Sequence, residues 1–154
     1  MELINYAVRG FPQDRIRLHV CYGPNQAPKF MDPNIGDFIS PLMRINVGAY
    51  SFEASNPRHA HEWKAWRDVK LPEGKVIIPG FISHGSNFVE HPEWIAERTI
   101  LYASLVGREN VIAGADFGFS SQATFQTEVH PTIVWAKLRA LAEGARLASK
   151  ELWA

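Results

Sequence analysis

His19, Cys21 and Glu53 are the side chains of this chain best suited to hold a metal ion. His19 and Cys21 flank Val20 at the end of a short apolar segment, and residues two apart on a strand point to the same face. Glu53 closes the next apolar segment. Imidazole nitrogen, thiolate sulfur and carboxylate oxygen are all donors that zinc accepts, and a catalytic zinc keeps three protein ligands and an open fourth position. A His-x-Cys pair also has an ordinary reading, because a buried cysteine often serves as a small apolar filler. Glu53 could equally partner a nearby arginine such as Arg58.

The elements that would position these residues recur with a regular beat. Four apolar, β-prone segments run from Ile16 to Tyr22, Ala49 to Ala54, Lys75 to Ile82 and Val111 to Asp116. They are spaced by roughly 30 residues, and helix-like sequence follows each, as in βα units of a parallel sheet. Nearly continuous runs such as Val76-Ile77-Ile78 suit strands covered on both faces. His91-Pro92 opens a helix to about Val106, and His130-Pro131 opens another to Trp153, proline being favoured at the first helical position. In the second, Val134, Leu138, Leu141 and Ala145 keep helical spacing, with Lys137, Arg139 and Arg146 off that stripe. Glu2 to Arg9 reads as a helix tail stopped by Gly10 and Pro12, so the chain looks cut. Ser120-Ser121-Gln122-Ala123-Thr124 reads as a mobile loop after the fourth strand.

His19, Cys21, Glu53, Ser83-His84 and Asp116-Phe117 all fall at strand C-terminal ends. Polar chemistry gathered there is the mark of a (βα)₈ barrel's active face, and a whole barrel needs about 250 residues. The expected fold is therefore α/β, the C-terminal half of a TIM barrel with four βα units, and residues 1–154 form one partial-barrel domain. His84 and Asp116 are the candidate catalytic residues at that rim; the ordinary reading of Asp116 is capping or hydrogen bonding the loop beyond it. His59 and His61, two apart in helix-opening sequence, do not share a face and read as solvated surface. His91 and His130 read as helix caps, and Trp63 and Trp66 as packing between helix and barrel.

Several segments together are similar to the cobalamin-independent methionine synthase family, above all to its short, single-barrel members. They are Leu18-His19-Val20-Cys21-Tyr22-Gly23, Ser51-Phe52-Glu53-Ala54-Ser55-Asn56-Pro57-Arg58-His59, Leu71 to Gly80, Asn87 to Glu93, Val106 to Gly114, Val129-His130-Pro131 and Trp135 to Leu138. The resemblance implies a zinc-dependent methyltransferase of methionine biosynthesis. Its partners would be a homocysteine-like thiol and a methyl-tetrahydrofolate-like alkyl donor, with Zn²⁺ bound by His19, Cys21 and Glu53. The physical logic is that only a thiolate is a good nucleophile, and a Lewis-acidic cation holds a thiol deprotonated without a separate base. In the family a fourth ligand is the cysteine of an Asp-Cys-Gly triplet. Here the triplet is Asp116-Phe117-Gly118, and phenylalanine cannot coordinate. The family's proposed acid, a histidine after the third strand, aligns with Gly85, one residue after His84.

This departure leaves open a three-ligand site completed by the incoming thiolate, or an inactive pocket filled by an aromatic ring. Epoxyalkane–coenzyme M transferases are similar and give an alternative thiol and donor. A further alternative is a non-catalytic remnant that needs a partner chain, self-associating through open barrel edges.

Bulk properties restrict the partners. Sixteen basic and sixteen acidic side chains cancel, which gives no electrostatic case for nucleic acid or an acidic membrane. No apolar run approaches the roughly 20 residues of a membrane span. The single cysteine and the lack of a signal-like N-terminus suit a reducing, cytoplasmic setting.

Overall fold

The computed structural model describes residues 1–23, 31–119 and 129–154. The loop expected at Ser120 to Thr124 lies outside the described residues. Four strands, β1 (Arg17–Val20), β2 (Ala49–Phe52), β3 (Val76–Ile82) and β4 (Gly114–Ala115), form one sheet in the order β1-β2-β3-β4. Every neighbouring pair is parallel. Among the described residues, four α-helices accompany them: α1 (Glu2–Ala7), α2 (Ile39–Leu42), α3 (Pro92–Val106) and α4 (Pro131–Leu152). Consecutive parallel strands in sequence order are the arrangement of adjacent barrel staves, so the α/β fold expected from the apolar runs is the one observed. The strands are shorter than the runs, however. Cys21, Glu53 and Asp116 each stand one residue past a strand end.

The register fixes the two faces. His19 pairs with Ser51, and Val20 with Phe52. Phe52 faces the helices, stacked on Trp66 with ring centroids 5.0 Å apart and tilted against Tyr102 of α3 at 6.0 Å. Residues one step away, His19 and Ser51, therefore point to the opposite face, where their side chains meet. The main core lies on the helix side: Phe52, Trp66, Ile77, Phe81, Ile95 and Tyr102 are all essentially inaccessible. Trp66 packs as expected, but its segment, Glu62–Asp68, is a 3₁₀ helix.

Helix α4 departs from the expected stripe. Its buried face is Lys137, Ala140, Gly144 and Ala148, while Val134, Leu138, Leu141 and Ala145 are only half-buried. Small residues win that face because α3 runs very close. A Cβ on Gly144 would come within 2.6 Å of the Ile95 side chain. Lys137 is tolerated there because its ammonium lies 3.0 and 2.9 Å from the two oxygens of Glu90 and 3.1 Å from Ser86 Oγ. His91 and His130 cap α3 and α4, each accepting a backbone N–H two residues on. No helix among the described residues is long and apolar enough to cross a membrane.

Candidate functional site

The strand ends bring five expected residues to one rim, though not into one cluster. His19 is exposed at the end of β1, with Nδ1 3.0 Å from Ser51 Oγ. Desolvation lowers its pKa, with the Glu53 carboxylate pulling the other way; the imidazole is thus neutral at neutral pH, the state a metal ligand needs. Cys21 is a free, exposed thiol whose Sγ accepts the Gly23 N–H at 3.1 Å.

Glu53 is 1% exposed. Its Oε1 accepts the Tyr22 N–H at 3.1 Å. Its Oε2 is buried with no hydrogen-bond partner. Arg58, the alternative partner read from the sequence, is paired with Asp32 instead. A buried carboxylate oxygen without a partner is costly, and among the described residues Glu53 Oε2 is the buried carboxylate oxygen left unanswered.

Asp116 is wholly buried. It reaches across to the turn after β2, where Oδ1 accepts the Ala54 and Ser55 N–H groups, both at 3.0 Å, and Oδ2 lies 2.6 Å from Ser55 Oγ. This approach needs Gly80 on β3, because a Cβ there would overlap the Asp116 backbone. Burial pushes the Asp116 carboxyl up to about 6, against the opposing hydrogen bonds from Ser55 and Ala54 and with a further push from the Glu53 charge. Asp116 thereby holds the turn that carries Glu53.

Phe117 lies between the two rim histidines. Its ring stacks on buried His84, with centroids 3.7 Å apart and planes 28° from parallel, and meets His19 edge-on at 6.1 Å. Beside His84 opens a cavity of about 610 Å³, lined among others by Ser55, Asn56, Ser83, Phe88 and Trp94.

The donor types fit zinc, and the orphaned Glu53 oxygen is a free valence for a cation. As placed, no group of three or more His, Cys, Asp or Glu side chains among the described residues is arranged to hold a metal ion. His19 and Cys21 are both exposed, so neither side chain is locked by core packing.

The expectation that His59 is solvated is overturned. His59 is 2% exposed, stacked face to face on Tyr22 at 3.8 Å and 6°. Its Nε2 is 3.3 Å from Asp32 and its Nδ1 3.3 Å from Glu62, the latter close enough for ion pairing without hydrogen-bond geometry. Burial works against its charge, but Glu62 and Glu53 outweigh burial and Arg58, and the pKa rises. The i,i+3 spacing of His59 and Glu62 was the available signal. Asp32, 27 residues earlier, was not visible as a partner.

No family model matches the chain, and neither does any curated protein. Among solved structures, the chain is similar to a B12-independent methionine synthase from Shewanella sp. W3-18-1 in complex with selenomethionine, with a TM-score of 0.74 and 20% identity. The alignment covers 99% of this chain and 43% of that one, so the chain spans less than half of that protein's length. At this identity the likeness establishes a shared fold.

Proposed function

We propose that the chain carries the thiol-activating rim of a methionine-synthase-like alkyltransferase. His19, Cys21 and Glu53 would hold Zn²⁺, a homocysteine-like thiol would take the open position, and a methyl-tetrahydrofolate-like molecule would donate the alkyl group. Bound zinc supplies the positive charge that keeps a thiol deprotonated at neutral pH. The observation that carries the reading is the buried, unpartnered Oε2 of Glu53 on the rim that also presents His19 and Cys21. The likeness to a methionine synthase supports it.

The chain's own residues have definite tasks in this reading. Tyr22 N–H fixes one Glu53 oxygen and leaves the other for the cation. Asp116 braces the Ala54-Ser55 turn behind Glu53. His84, stacked on Phe117, lines the neighbouring cavity, which is large enough for the second substrate. Phe117 supplies bulk where the family has a soft, charged donor, so His19, Cys21 and Glu53 would be the protein's donors to the metal.

Metal analysis of protein purified with Zn²⁺ tests the proposal. About one zinc per chain is expected, lost on His19→Ala or Glu53→Gln. Retention below about a tenth of an equivalent, in a protein that folds, overturns it. Phe117→Cys is expected to tighten zinc by roughly tenfold or more, because a thiolate replaces a ring that cannot coordinate.

A further inference from the structure

Behind the candidate rim lies an ionic cluster that neither the thiol chemistry nor the core packing uses. Tyr22 is its link to the rim, because it follows Cys21 directly and touches Glu53, Glu62 and His59 at once. Its N–H donates to Glu53 Oε1 at 3.1 Å, its hydroxyl donates to Glu62 Oε2 at 3.2 Å, and its ring lies flat on His59. His59 in turn sits between Asp32 and Glu62, at 3.3 Å from each. Glu62 also accepts the Ile35 N–H at 3.0 Å, and Asp32 is ion-paired with Arg58. The cluster therefore ties the turn after β1, the segment around Asp32 to Ile35 and the segment after β2 into one unit. A flat, buried plate under Tyr22 leaves that residue little freedom. Through its N–H, the same constraint reaches Glu53.

We propose that His59 is a positioning residue for the rim: it clamps Tyr22, and through Tyr22 it fixes the Glu53 carboxylate and the Cys21 turn as one preorganised unit. Its relevance to metal binding rests on the reading given above, but the clamp itself is measurable without metal. Outer residues that orient ligands typically govern metal affinity by about 10–100-fold. His59 meets the geometric condition for that role without touching any ligand.

The test uses the full chain and two variants. His59→Phe keeps a ring under Tyr22 and removes the contacts to Asp32 and Glu62. Glu62→Gln keeps one acceptor oxygen for the Ile35 N–H, replaces the oxygen that accepts the Tyr22 hydroxyl with an amide that can donate to it, and removes the charge facing His59, so it serves if the first variant does not fold. The first readout is amide hydrogen exchange, measured without metal. Exchange at Tyr22 is expected to quicken by roughly tenfold or more while amides of β2 and β3 keep their protection. The second readout is metal binding: Zn²⁺ affinity falls by roughly tenfold, and with Co²⁺ as probe the sulfur-to-metal charge-transfer band weakens. Unchanged Tyr22 exchange in a folded variant overturns the clamp, whatever the metal does. Faster exchange with unchanged zinc affinity overturns its link to the ligands. A wild-type chain that takes no metal, but whose Tyr22 amide loosens in the variants, overturns the proposed function and leaves the clamp standing.

Discussion

Glu53 and Glu90 are both buried at the C-terminal side of this sheet, and the structure answers the two carboxylates in opposite ways. Glu90, beyond β3, is fully satisfied. Lys137 Nζ lies within 3.0 Å of both its oxygens, and the Ser83 N–H donates to Oε1 at 2.8 Å. Glu53, beyond β2, has one oxygen held by the Tyr22 N–H and one with no partner. Buried polar groups are normally paired because desolvation costs more than a hydrogen bond returns. A complete network is thus a structural device that locks α4 to the loop after β3. An incomplete one is a place where stability has been given up, and such places collect at functional sites.

The sharpest way to break this contrast is Lys137→Met. The substitution leaves Glu90 buried and uncompensated, and removing one partner of a buried pair costs about 3–5 kcal/mol. Urea unfolding is expected to read a loss of that size. The double variant Lys137→Met with Glu90→Leu recovers most of it, because two apolar side chains of similar volume leave no orphan charge. A single variant as stable as wild type would mean that the pair does not hold the helix, and the distinction between the two carboxylates would collapse.

Asp116 lies between these extremes, and its contribution depends on pH. Burial raises its pKa from 3.8 to about 6, so between those values the folded chain binds a proton that the unfolded chain does not. The resulting stability is complete below pH 3.8 and is lost as pH rises through about 6. The full change amounts to about 3 kcal/mol. Asp116→Asn keeps an acceptor for the Ala54 and Ser55 N–H groups and cannot ionise. It is expected to flatten the decline in unfolding free energy over that interval, relative to wild type. An identical pH slope in both proteins would show that Asp116 does not titrate there.

The legibility of the two regions differs for the same physical reason. Strand positions were readable because Val76-Ile77-Ile78 and its counterparts are apolar runs, and burial of such runs needs no knowledge of a distant partner. The rim residues were readable because they end those runs. The burial of Lys137 was not readable, since a charge enters a core only when its counter-charge is already there, and Glu90 lies 47 residues away. His59 was hidden likewise, its carboxylate Asp32 standing on another segment. The stripe on α4 was misplaced by about one position because small residues, Ala140, Gly144 and Ala148, make the close contact with α3. Periodicity weighted toward large apolar residues passes over such a face.

The smallest expected effect on stability belongs to Glu53→Gln, and it separates structural from functional burial most cleanly. Glutamine keeps an oxygen for the Tyr22 N–H and replaces an unpartnered, charged oxygen with a neutral amide. Leaving a neutral group unpaired costs less than leaving a charge, so stability is expected to stay level or rise by about 1 kcal/mol, well below the loss at Lys137. Glu53 also raises the pKa of His19 through its charge. Its neutralisation therefore lowers the His19 pKa further, which an NMR titration of the imidazole reads directly in metal-free protein. Zinc retention should disappear in the same variant, because the hard anionic donor is gone. A large loss of stability on Glu53→Gln would overturn this account, since it would show that the Glu53 charge holds the fold together in the way that Glu90 does.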